Sequence, residues 1–176
     1  MMLDAELIRL AFTALGRRLA RAQPIEILIV GGAAGLLNGE LKGTYTTTDV
    51  DTLKVLPPGQ WDQLQDAAAK VGREMALPAD WLNRDAGLFA EALPSDWESR
   101  RVDVGRFGAL RVWAIGRLDL IAMKFYSHRY QDREHLAALN VTKEELKFVL
   151  QYLDALTSQA DRGKLEMARH MARNWV

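Results

Sequence analysis

The sequence contains no cysteine. A disulfide scaffold, a thiolate metal site and a cysteine nucleophile are therefore excluded, and the composition fits a reducing, cytoplasmic setting. It also lacks an excess of either charge: 23 Lys and Arg balance 23 Asp and Glu. A globally cationic nucleic-acid binder is excluded, and only a local basic patch balanced elsewhere would remain. No apolar run approaches the roughly 20 residues that span a bilayer. The N-terminus places Asp4 and Glu6 before its apolar positions, unlike the basic-then-apolar layout of a signal peptide. No membrane partner is expected. Histidine is scarce, and His128, His135 and His170 do not fall at metal-ligand spacing, so structural roles are expected for them. Internal repeats and low-complexity tracts are absent.

What the chain does have is enough length and apolar content for a core without staples. Its 176 residues are 49% hydrophobic and 26% charged, ordinary for one globular domain with at most a small appendage. Leu3 to Arg21 has helical apolar spacing, with Asp4 placed to cap it. Ile25 to Val30 is a β-branched run that stops at Gly31-Gly32, as a buried strand feeding a tight turn does. Helical spacing resumes from Ala33 to Leu37, and Asn38-Gly39 is a stop signal. Asp49 to Leu56 alternates from Val50 onward and predicts a second strand. Pro57-Pro58 ends it, and Trp61, Leu64, Ala68 and Val71 mark one face of a following helix.

Residues 76–96 predict short helical pieces around Trp81 and Leu88-Phe89. Segments 101–104 and 110–114 predict a hairpin. Beyond Gly116 the pattern is helical, with a capping box at Thr142 to Glu145 and Asp161 placed to cap a last helix. The expected class is α+β: a small mixed sheet packed by helices over residues 1–115, with a helical C-terminal region over 116–176 packed on that core.

Asp49 and Asp51 carry the chemistry. In a strand, residues i and i+2 share a face, roughly 7 Å apart. Two carboxylates held so close repel unless a cation lies between them. Mg²⁺, or Mn²⁺, is the fitting ion, because it takes hard oxygens and keeps room for substrate phosphates. Gly31-Gly32, between strand and helix, lets backbone amides approach a phosphate. Together the two features describe a nucleotide–metal site. A third carboxylate, Asp103, is the candidate to complete it. A dinucleotide-binding fingerprint is the rival for Val30 to Gly35, but its first glycine would fall on Val30, and Asp49 and Asp51 begin their strand, whereas the ribose-binding acid ends one.

The run Val30-Gly31-Gly32 followed by Asp49-Val50-Asp51 resembles the signature of the nucleotidyltransferase superfamily, the fold of DNA polymerase beta. Thr47, Asp119-Leu120-Ile121-Ala122-Met123-Lys124, then Arg129, Asp132-Arg133 and Leu136, are most similar to small prokaryotic nucleotidyltransferases of the abortive-infection and type IV toxin group. The resemblance spans roughly residues 25–139. It implies that Asp49, Asp51 and Asp103 hold the metal, that Asp103 helps to deprotonate the acceptor, and that Gly31, Gly32, Thr47 and Lys124 bind the nucleotide. It further implies an NTP substrate, a hydroxyl acceptor on a protein, a tRNA or a small molecule, a toxin-like role and an antitoxin partner. Ala33, Tyr45 and His135 depart from that pattern: relatives carry serine, arginine and aspartate there. These departures keep a second reading open, in which the chain binds a nucleotide or a partner without turnover.

Overall fold

The computed structural model describes residues 1–19, 23–86, 93–94, 96–156 and 162–175. Helix α1 spans Ala5–Arg18, and Oδ1 of Asp4 accepts the Leu7 amide at 2.8 Å, as its capping position requires. The helix starts later than its apolar spacing because Leu3 makes an antiparallel bridge with Thr47 instead. Strand β1 (Ile25–Val30) passes directly into α2 (Gly31–Leu37), so that helix begins on the glycines and not at Ala33. Strand β2 covers Val50–Leu56 and α3 covers Trp61–Glu74, burying Leu64, Ala67, Ala68 and Val71.

The segment after α3 departs from expectation. Leu82–Asn83 form a short strand, β3, where a helical piece was expected. Tertiary contacts place it there. The Trp81 indole Nε1 donates to the Ala68 carbonyl at 2.9 Å, and the Val50 amide donates to the Trp81 carbonyl at 2.7 Å. These bonds draw the chain alongside β2. The expected turn around Leu88-Phe89 lies outside the described residues. A 3-10 turn at Trp97–Arg100 leads into the hairpin of β4 (Val102–Phe107) and β5 (Leu110–Ala114). Four helices follow: α4 (Arg117–Ser127), α5 (Tyr130–Ala138), α6 (Lys143–Ala155) and α7 (Arg162–Arg173). Thr142 and Glu145 form the expected capping box of α6, while Asp161 lies outside the described residues.

The strands form one sheet in the order β3-β2-β1-β5-β4. β1 pairs antiparallel with β2 and parallel with β5. The sheet is therefore mixed, and the chain is α+β with a helical C-terminal region, as its pattern implies. One irregularity lies in the β1–β2 register between Leu28 and Ile29, so Thr52 and Leu53 are both buried and the alternation of β2 is broken. The core joins sheet residues such as Ile27, Ile29 and Val112 to Ile8, Phe12 and Leu15 of α1. Full burial of each such side chain is worth about 1.5–3 kcal/mol. Helix α4 is apolar nearly all round, with Leu120, Ile121, Ala122 and Phe125 fully buried, because it packs against α2, α5, α6 and α7. Among the described residues no helix is long and apolar enough to cross a membrane.

Candidate active site

Register decides what meets at the end of β1. Val30, its last residue, pairs with Asp51 on β2, and Asp51 pairs on its other side with Asn83 of β3. The acid therefore stands beside the residue that precedes the glycine turn. Gly31 has φ +70°, a backbone region in which side chains are strained. A Cβ there would lie 2.8 Å from Oδ2 of Asp51. At Gly32 a Cβ would meet Oγ1 of Thr47 at 3.0 Å. The glycine pair is thus needed by the protein's own packing: it lets a carboxylate and a hydroxyl sit against bare backbone at the start of α2. The first turn of α2 receives no side-chain cap.

A cavity of about 520 Å³ opens over this turn, a size suited to a small-molecule ligand. Gly31, Gly32, Thr47, Asp49, Asp51 and Lys124 all line it. Six of the seven site residues expected from sequence are thus gathered around one cavity, although they come from β1–α2, the loop before β2, β2 itself and α4. Thr47 is fixed by two backbone hydrogen bonds with Leu3, at 2.7 and 2.9 Å. The threonine-rich loop that carries it also contributes Thr44, Tyr45, Thr46 and Thr48 to the wall.

Asp103 is the exception and corrects the three-carboxylate expectation. It lies on β4, the edge strand separated from β2 by β5 and β1, and its carboxylate accepts from Arg111 at 3.0 Å, about half exposed. Its cross-strand neighbourhood and not the cavity explains it: Arg111 lies diagonally across the hairpin. The acid that does approach the pair is Asp85, just beyond β3, which lines the cavity. No sequence signal marked Asp85, because a strand of two residues has no periodicity.

The electrostatics fit a cation-binding locus. The Asp51 carboxyl is pushed up to about 6, first by burial and then by Asp49, with Asp85 adding to the rise and Arg129 and an Asn83 hydrogen bond opposing it. Ionised Asp51 is thus costly in the bare protein, and a divalent cation between the acids would remove that cost. Among the described residues no three acidic or histidine side chains group closely enough to hold an ion by themselves.

The opposite wall comes from the C-terminal helices. Lys124 is almost fully buried, with its ammonium 3.0 Å from Asp132 Oδ1 and 2.7 Å from His135 Nδ1. A side chain on so apolar a helix would be expected to snorkel; this one instead enters a polar cluster. Asp132 is buried, not part of a solvated helix face, and also accepts from the Ser127 hydroxyl and the Arg129 amide. Burial pulls the Lys124 ammonium below its usual range, and Asp132 opposes that pull. Arg129 is exposed at the cavity rim. Asp119, from the same motif as Lys124, is turned away: it is fully buried and takes two hydrogen bonds from Arg100, at 2.9 and 2.8 Å.

The model of a family described as "Nucleotidyltransferase of unknown function (DUF6036)" matches residues 7–175. The chain, by this match across nearly its whole length, belongs to that nucleotidyltransferase family. No curated protein and no solved structure matches it.

Proposed function

We propose that the cavity binds a Mg²⁺-bound NTP and that the protein transfers the nucleoside monophosphate to a hydroxyl, releasing pyrophosphate. One observation carries this reading: Asp51, with Asp49 two residues before it, is packed against the Gly31-Gly32 turn at the mouth of a nucleotide-sized cavity. Asp49 and Asp51 would hold the metal, which when bound supplies charge neutralisation at the reacting phosphate and a template for in-line displacement. Gly31 and Gly32, against which Asp51 and Thr47 pack, line the cavity and set the start of α2 beside the phosphates. Lys124 adds positive charge to the wall facing the acids. Catalysis of this kind is mainly positioning and charge stabilisation, so an acid pair at the start of β2, with Asp51 held in the sheet, is a suitable platform.

The acceptor is a hydroxyl of a protein, a tRNA or a small molecule. The resemblance to the abortive-infection group adds a toxin-like role with an antitoxin partner, which growth arrest on expression, abolished by Asp49→Asn with Asp51→Asn, would support. A second reading, nucleotide binding without turnover, draws on the position of Asp103, which takes the acid expected to receive the acceptor proton away from the pair. The two readings separate on incubation with each α-labelled NTP and Mg²⁺, followed by analysis of protein, tRNA and small-molecule fractions. Transfer of label supports the enzyme; saturable binding with no transfer and no pyrophosphate supports the binder.

A further inference from the structure

His135 occupies a position that the site as described does not use. It projects from α5 into the cavity wall, half-buried, with the Tyr45 ring edge-on to it at 5.7 Å between centroids. Its Nδ1 lies 2.7 Å from the Lys124 ammonium. A protonated lysine has donors and no acceptor, so Nδ1 must accept and carry no proton. A neutral imidazole then has its one proton on Nε2. The ring's Cε1 faces the glycine turn, 4.0 Å from where a Cβ on Gly32 would stand. Nε2 is bonded to Cε1 on the side away from Lys124, and it has no hydrogen-bond partner among the described residues.

We propose that Lys124 locks His135 as the Nε2–H tautomer, and that this N–H is a fixed neutral donor to a phosphate oxygen of a nucleotide in the cavity. The assignment rests on the nucleotide reading of the cavity and deepens it, by giving this chain a phosphate contact of its own. Asp132 completes the device: it holds the ammonium from the other side, so that Lys124 stays charged and oriented despite burial. Burial and the lysine charge hold the imidazole down at about 4, so His135 stays neutral at physiological pH. A neutral donor is useful beside Lys124, because it binds phosphate without adding a second charge that would repel the first.

Two measurements test this on the full-length protein. The chain has three histidines, so their ring nitrogens are resolvable by long-range proton–nitrogen NMR, with the His135→Gln spectrum giving the assignment. At neutral pH, His135 is expected to show an unprotonated Nδ1 and a protonated Nε2, and the Nε2 resonance is expected to move on addition of Mg–NTP. Calorimetry with Mg-bound ATP, GTP, CTP and UTP then separates the donor from its packing. His135→Asn retains an acceptor for Lys124 but loses the Nε2 donor, and should weaken binding at least about tenfold, the usual effect of one hydrogen bond to a charged group. His135→Gln places an amide N–H near the Nε2 position and should bind within about threefold of the parent chain. A protonated Nδ1, equal binding by all three proteins, or a Gln variant as weak as the Asn variant would overturn the assignment while leaving the site reading intact. Failure of the unmodified protein to bind any of the four nucleotides would overturn both.

Discussion

Asp51 is the residue at which the account is most exposed. Its carboxyl titrates near 6 and not at its ordinary 3.8, so the folded chain binds this proton more tightly than the unfolded one. The stabilising effect is complete below pH 3.8 and is lost as pH rises through 6. By pH 7 the ionised group costs up to about 3 kcal/mol. Asp51→Asn should therefore be more stable than the parent chain at pH 7.5 without metal, with the advantage shrinking towards pH 4. Chemical denaturation across that range, with and without Mg²⁺, measures it; Mg²⁺ should narrow the gap at pH 7.5. His135 acts in the opposite direction, since its pKa is lowered from 6.5 to about 4 and its stabilising effect is lost as pH falls. The difference between variant and parent is thus informative where the total curve is not. Asp103 offers the contrasting case. Its ion pair with Arg111 is exposed and such pairs contribute at most about 1 kcal/mol, so Asp103→Asn should leave both Mg–NTP binding and melting temperature near parental values.

At the scale of elements, the glycine turn and α4 position the site. Gly31→Ala would place a methyl against Asp51 Oδ2 at a positive φ, and should cost on the order of 1–3 kcal/mol together with loss of Mg–NTP binding. Asp119→Ala is expected to be a pure stability lesion. It removes the two hydrogen bonds by which Arg100 ties the 3-10 turn before β4 to the first turn of α4; Arg100 keeps its pair with Asp96, so the cost is that of lost charged hydrogen bonds, about 1.5–3 kcal/mol. Urea denaturation should show that loss, while nucleotide affinity measured well below the melting temperature should hold.

These elements also show what was legible in the sequence. β1, β2, the hairpin and the helix caps at Asp4 and Thr142 announce themselves through local periodicity and capping chemistry. β3 does not, because two residues held beside β2 by Trp81 carry no local pattern. Asp103 was misplaced for a related reason: strand propensity marks a strand but not its position in the sheet, and an edge position turned a plausible ligand into a surface ion pair. Asp132 and Lys124 were legible as a motif, yet only packing of α5 on α4 reveals that they touch.

At the scale of the whole molecule, the cavity is assembled from three distant stretches of chain. The N-terminal segment fixes Thr47 through Leu3, β2 and the loop before it present Asp51 and Asp49, and α4 and α5 bring Lys124, Asp132 and His135. Neither the sheet nor the C-terminal helices alone would hold both the acid pair and the Lys124–Asp132–His135 cluster. Acidic and basic groups on facing walls are what a metal-bound triphosphate needs, with its cation on one side and its phosphate oxygens on the other. The most direct measurement is pyrophosphate release from each of the four NTPs with Mg²⁺, by the parent chain and by the Asp49→Asn, Asp51→Asn double variant, in the presence of protein and tRNA acceptors. Release from at least one NTP is expected, stopping on chelation of Mg²⁺ and absent from the double variant. Release that persists in the double variant, or no release and no Mg–NTP binding by the parent chain, would contradict it.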